Sequence, residues 1–582
     1  MADCRDLRPD PALRKTTMTN DRHNASPVRL SLMAALRAQI NAWDILAAIL
    51  FAAASVAYFY LRWQGATPFV FLNSDAANIS CFAAGRDHPG LFARDALLGN
   101  PDNFYYYSTI HIPLLRALVH VFGDYGTAFL AMLAPHVFVQ LLGFYVLGRI
   151  VFKDRFWALL LVLITLRPIP TGIGADFWGI YGDAIPRITF QAVFPWILAA
   201  AWRWRERPKS WPWILVAAGL LMYAHPVSAP ALGFSLWLGF WFFMPRTWRM
   251  PRRLGYMLFL GLVFLAATYP FTRNYVSNHS YGSSFDYDTI FKIMRFRFNT
   301  IFMDVPYAIG NSARRLVESM LLPLATVSGI LLWRANGRTR QGVILCTAWI
   351  AGYLFVSMPL PLAEHTICRA LKIIPLEIDL IRNVRFIYPI GLMMCLWGML
   401  EIRRTHPAPN VRRAALAAAI IGVMGWSVIN RPPWLVDKPA QIIRPLAPRP
   451  AHPHARDMIG ALTFIRDHTP PGSAFVPTSH VNPLAIRYFA LRPVLLCAKD
   501  GGPFAYVNHE MLVEWYENFK VMQRVDETQN PQMRLRGYAT LARDLDADYL
   551  FMDYGKDLVI SLAPELSTQI AYGNASYSII KM

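Results

Sequence analysis

The chain has 582 residues, 55% of them hydrophobic, and a mean hydropathy of +0.30. That is more apolar side chain than a soluble core of this length uses, which points to a membrane as solvent and away from an entirely soluble fold. The net charge of +20 would suggest a nucleic-acid partner, but from Pro432 onward 15 Lys or Arg face 15 Asp or Glu. The whole surplus therefore lies between the apolar runs, where it reads as a topology signal, and no nucleic acid is expected.

Residues 1–40 are polar and arginine-rich, with no apolar run ending in a small-residue cleavage site, so they read as a disordered cytoplasmic tail. The first apolar run, Trp43 to Trp63, is long enough to cross a bilayer and should act as an uncleaved anchor. It opens a multi-helix transmembrane domain over 41–430. Further spans are expected at about 126–150, 156–171, 188–203, 211–224, 226–244, 254–271, 316–333, 341–358, 386–402 and 412–430, about eleven in all. Five basic clusters, beginning at Arg149, Arg203, Arg246, Arg334 and Arg403, then fall on the side of the N-terminus, as the positive-inside rule requires. The opposite, outer side receives the loops 64–125, 171–187, 272–315 and 359–385, long enough to carry function. In the first of these, Ile110–Phe122 is apolar but too short to span and suggests an interfacial helix.

A proline-rich linker, 431–455, should be stiff and extended. Beyond it, 456–582 alternates helix-like stretches (Asp457–Asp467, His509–Met522, Met533–Leu545) with strand-like ones (Ser473–Pro477, Arg492–Cys497, Asp548–Asp553). The expected fold is a polytopic α-helical membrane protein with a C-terminal soluble α/β domain on the outer side.

Ionisable residues at the outer edge of apolar runs are the candidates for chemistry, because a charge near lipid is costly. Asp75, just after the first span in Asn73-Ser74-Asp75, is placed to act as a general base or to cap a helix beginning at Ala76. In the second outer loop Asp183 could share that site, and Arg187 could meet a phosphate or form an interfacial salt bridge. His225, exposed by the break at Pro226 and Pro230, could bind phosphate, carry a proton, ligate a metal or simply pack. Arg382 and Arg385, three residues apart, lie on one helix face and suit an anionic headgroup or pyrophosphate. Six cysteines show neither CxxC nor metal spacing; Cys81, Cys368 and Cys497 fall on the outer side and could pair or stay single. No Walker A, GxSxG, HExxH or dinucleotide fingerprint occurs, so no nucleotide cofactor is expected.

These residues and this arrangement resemble the GT-C superfamily of integral-membrane glycosyltransferases, over about 43–582. The resemblance implies a sugar transferred from a polyprenyl-phosphate donor to a glycan, lipid or protein acceptor on the outer, periplasmic face of an inner membrane. It would make Asp75 the catalytic base or metal-linked acid and would give the outer-edge arginines to the donor; Asp183 is kept as a second catalytic candidate and His225 as a substrate-binding one. The superfamily often pairs its acids as Asp-x-Asp, whereas Asp75 stands between Ser74 and Ala76, which leaves a divalent metal open. A flippase for lipid-linked glycans and a non-catalytic envelope assembly protein remain alternatives from other classes.

Overall fold

The computed structural model describes residues 41–63, 71–72, 74–106, 108–173, 176–180, 182–278, 285–335, 337–375, 379–429 and 453–582. The tail 1–40, Asn73 and nearly all of the linker 431–455 lie outside them. The chain divides into two compact units, 1–50 and 51–582. In the first, the described residues begin helix α1 (Ala42–Trp63), whose opening turn is closed by Asn41 Oδ1 accepting from the Trp43 and Asp44 amides at 3.1 and 3.2 Å.

In the second unit α1 is followed by α2 (Ser74–Asp87), α3 (His111–Phe122), α4 (Tyr125–Ala131), α5 (Leu133–Phe152) and α6 (Arg155–Thr165). Asp124 and Asp154 start α4 and α6 by accepting from the amides of Thr127 at 2.8 Å and Trp157 at 3.2 Å. A two-residue antiparallel pair, β1 (Ile169–Pro170) with β2 (Phe177–Trp178), leads to α7 (Pro186–Trp204), with proline at its first position. Then come α8 (Trp211–Leu220), α9 (Ala229–Trp241), α10 (Met250–Ser277), α11 (Tyr287–Met303), α12 (Val305–Glu318), α13 (Leu321–Trp333), α14 (Gly337–Ser357) and α15 (Pro359–Leu371). A 3-10 turn, Leu380–Phe386, runs into α16 (Ile387–Thr405), and α17 (Pro409–Ile429) follows.

The apolar core is dense in aromatics. Phe386, at the end of the 3-10 turn, has ring centroids of Trp178, Phe190, Phe194 and Tyr353 within 5.0 to 5.7 Å. Such packing fixes the turn that carries Arg382 and Arg385.

The protein is an α-helical, multi-pass membrane protein. Among the described residues five helices are long and apolar enough to cross: α1, Tyr125–Phe152, α10, Gly337–Leu371 and Leu380–Thr405; a sixth is counted if α12 and α13, bent by 57°, form one broken span. This corrects the expected eleven. Among the expected spans, α6, α8, α9 and α13 are helices of 10 to 13 residues. At 1.5 Å per residue these reach only about half to two-thirds of a hydrocarbon core of roughly 30 Å. The short apolar helix expected at Ile110–Phe122 is present as α3.

The C-terminal stretch holds α18 (Pro453–His468), β3 (Phe475–Pro477), α19 (Pro483–Tyr488), α20 (Gly501–Val507), α21 (His509–Glu527), α22 (Pro531–Asp544), β4 (Tyr549–Met552), α23 (Lys556–Leu562), β5 (Ile570–Gly573) and β6 (Ser578–Lys581). Its mixed sheet has the order β3-β4-β6-β5, with only β3 and β4 parallel. The expected separate α/β domain is corrected in two respects. Helix dominates, the strands being three or four residues long, and the stretch belongs to the same compact unit as the helices before it. Arg492–Cys497, expected as a strand, contributes only a single parallel bridge from Val494 to Phe475.

Candidate functional site

Asp75 lies in the first turn of α2, one residue after Ser74, whose φ of 48° is left-handed. A non-glycine residue in that region marks a locally strained backbone. Because α2 already begins at Ser74, Asp75 lies within its first turn, not at a cap before Ala76, and its carboxylate pairs with cations: Oδ2 meets Arg187 Nη2 at 3.1 Å and Oδ1 meets Lys499 Nζ at 3.3 Å. Lys499 also donates to Ser74 Oγ at 2.7 Å. Burial alone would raise the Asp75 pKa, but Lys499, Arg187 and Arg382 outweigh it and hold the carboxyl well below the usual carboxylate range.

Arg187, at the start of α7, bridges Asp75 to Asp176, whose Oδ1 it meets at 3.2 Å. Arg385 reaches the same oxygen at 2.8 Å, and both partners of that pair are almost fully buried. Thr171 Oγ1 donates to Asp176 Oδ2 at 3.0 Å, so the loop between β1 and β2 presents Asp176 as an anchor for two arginines. Arg382, one turn before Arg385, pairs with Asp379 at 3.2 Å. His225 sits between α8 and α9, with Nδ1 2.9 Å from Ser228 Oγ. Burial first, then Arg385, Arg187 and Arg382, holds its pKa well below the ordinary histidine value, so the imidazole is neutral.

Five of the six residues singled out from sequence, Asp75, Arg187, His225, Arg382 and Arg385, line one cavity of about 270 Å³. Asp183 does not. It faces Arg62 at the end of α1, 3.5 Å away, while Arg62 Nε donates to Gly182 O at 3.0 Å. Burial raises the Asp183 pKa above its ordinary value against the pull of Arg62. Its place near the site is structural, tying α1 to the loop before α7.

Three residues that matter were missed. Lys499 and Arg297 line the cavity, and Arg297 Nε is buried with no hydrogen-bond partner among the described residues. Asp176 anchors the two arginines from behind. Lys499 had a signal: it opens the turn Lys499-Asp500-Gly501-Gly502, which places a cation on a tight bend. Arg297 and Asp176 had none. The lining thus sets Arg187, Arg297, Arg382, Arg385 and Lys499 against Asp75 and Asp379, a cationic cavity suited to an anion.

The cavity does not end at its charges. Pro226, Val227, Phe271 and Tyr275 are shared with a second hollow of about 450 Å³, otherwise walled mostly by apolar side chains of α9, α10 and α14 such as Phe234, Val276 and Val356. Among the described residues no group of three or more His, Cys, Asp or Glu is placed to hold a metal ion. Asp75, taken up by two cations, does not fit the role of a metal-linked acid. Cys81, Cys346, Cys368, Cys395 and Cys497 are free thiols.

No family model matches this chain, and no match is found among curated proteins.

Proposed function

We propose that the protein is a membrane glycosyltransferase that moves a sugar from a polyprenyl-phosphate donor to a glycan, lipid or protein acceptor. The observation that carries this reading is that a cationic cavity and an apolar hollow lie side by side, with four wall residues in common. A lipid phosphate has that same division, an anion at one end and a hydrocarbon chain at the other. The phosphate would sit among Arg187, Arg382, Arg385, Arg297 and Lys499, with the prenyl chain along Phe271, Tyr275 and Val276. A small soluble anion would have no use for the apolar extension.

In this reading the acceptor's hydroxyl or amide attacks the anomeric carbon while the bond from that carbon to the phosphate oxygen breaks. The phosphate leaves with the electron pair, and the arginines and Lys499 stabilise the charge that gathers on it. The acceptor proton goes to Asp75. With Lys499 and Arg187 on it, Asp75 is a weak base; a bound phosphate competes for the same two cations, which raises the carboxylate's basicity as the donor arrives. Neutral His225 is suited to a hydrogen bond with the phosphate or sugar rather than to charge neutralisation. In this reading the arginine-rich N-terminus is cytoplasmic and the cavity and C-terminal stretch face the other, periplasmic side of an inner membrane.

The test is mass profiling of lipid-linked sugars and envelope glycans in a strain lacking the protein, complemented with wild type or with Asp75→Asn. Loss of one sugar modification that wild type restores, and Asp75→Asn at equal membrane level does not, supports transfer chemistry. Full restoration by Asp75→Asn removes Asp75 from the chemistry and favours a flippase or assembly role.

A further inference from the structure

The cavity contains a residue from far along the chain, Lys499, and its placement has an identifiable cause. Arg487 on α19 is fully buried, and so are the two carboxylates it meets. Its Nε donates to Asp95 Oδ2 at 2.7 Å, its two terminal nitrogens reach Asp500 Oδ1 and Oδ2 at 2.7 and 2.8 Å, and Nη2 also donates to Val494 O at 3.1 Å. Asp95 belongs to the first outer loop, where its Oδ1 accepts from the amides of Leu97 and Leu98 at 2.9 and 2.8 Å. Its Oδ2 also accepts from Val494 N at 2.7 Å. The next residue, Tyr488, accepts from the Leu72 amide at 3.0 Å, just ahead of Asp75.

A buried arginine between two carboxylates is weak evidence for stability, because well-packed apolar groups of the same shape often do as well. What the fork supplies is geometry. It holds two points of the segment 494–500 at once, and Asp500, the bidentate partner, is joined directly to Lys499. We infer that Arg487 is a positioning residue for the cavity: through Asp95 and Asp500 it docks the C-terminal stretch on the first loop so that the Lys499 ammonium reaches Ser74 and Asp75. The inference rests on the reading that the cavity takes a phosphate. It adds that the anion site is complete only with the C-terminal stretch docked, and that Arg487 acts on the anion solely by way of Lys499.

The experiment uses the full chain in detergent micelles and inorganic pyrophosphate as the probe, with titration calorimetry on wild type, Lys499→Met, Arg487→Lys and the double variant. A lysine at 487 keeps the charge and loses the fork. Each single change is expected to weaken binding by about tenfold, and the double variant by no more than the worse single one, since both remove the same contact. The slope of log affinity against log salt should fall by the same step in all three, a readout that general destabilisation does not move. If the double variant loses the product of the two single effects, the positioning role is overturned. If Arg487→Lys does not fold, Asp500→Asn takes its place with the same expectation. Absence of pyrophosphate binding by the folded wild type would overturn the phosphate reading and this inference together; binding with additive losses would overturn this inference alone.

Discussion

Replacing Asp75 by asparagine keeps the side-chain shape and removes the one carboxylate that Lys499 and Arg187 share with any anion entering the cavity. Two unit charges about 4 Å apart at an effective dielectric constant of about 20 interact by about 4 kcal/mol. The Asp75 side chain is 34% exposed, so water screens both pairs. After that discount we expect the two released cations to favour a bound anion by about 1–2 kcal/mol, on the order of a tenfold fall in Kd. The assay is calorimetric titration of purified Asp75→Asn with inorganic pyrophosphate at low ionic strength, with Asp183→Asn as the control, since Asp183 pairs with Arg62 outside the cavity. Tighter binding by Asp75→Asn, together with transfer activity reduced by about 10²–10⁴-fold, fits a base that competes with the donor for its cations. Equal or weaker pyrophosphate binding would refute the competition, and with it the account of how Asp75 gains basicity.

Other consequences are open to separate checks. Arg297→Gln should weaken pyrophosphate binding while moving thermal stability by less than about 0.5 kcal/mol, because no acid partner among the described residues is lost; a large drop in melting temperature would assign Arg297 to structure instead. Val276→Trp fills the apolar hollow from a side chain that is 42% exposed, and should block a long-chain polyprenyl phosphate but leave inorganic pyrophosphate binding intact; equal loss of both would separate the hollow from the lipid. His225 has a folded pKa below its unfolded value, so its contribution to stability is complete above about pH 6.5 and is lost as pH falls from there toward the folded pKa, at up to about 1.4 kcal/mol per pH unit. His225→Gln should remove one proton's share of the decline in thermal stability between pH 7.5 and 5, and an unchanged slope would contradict its burial as the neutral form. Gly352→Ala puts a methyl 2.6 Å from the Ser235 backbone where α9 and α14 cross, and should cost about 1–3 kcal/mol in unfolding experiments.

How much of this could be read from sequence follows from where a charge is conspicuous. Asp75, Arg187, His225, Arg382 and Arg385 all stand at the margin of an apolar run, where low dielectric makes an ionisable group costly and therefore visible. Lys499 and Arg297 stand outside every run long enough to read as a span, and only the folding of the C-terminal stretch onto the first loop brings Lys499 to Asp75. Helix number fails for a different reason. Hydropathy reports that a segment avoids water, and α6, α8 and α9 do so by packing as short helices rather than by reaching across a membrane.

The choice between Asp183 and Asp176 marks the limit most sharply. Both lie in the segment 171–187, seven residues apart, and both precede the same helix. Position relative to the apolar run favours Asp183, the nearer to α7. What turns Asp176 inward is the pairing of Ile169 with Trp178 and of Pro170 with Phe177, closed by Thr171 bonding to both the backbone and the side chain of Asp176. A pair of two-residue strands has no pattern that sequence periodicity can report. Yet this turn decides which carboxylate holds Arg187 and Arg385 at the cavity and which is left to tie down Arg62. The cation array depends on the register of that turn as much as on its own arginines, so Asp176→Asn should loosen Arg187 and Arg385 together, whereas Asp183→Asn should leave both in place.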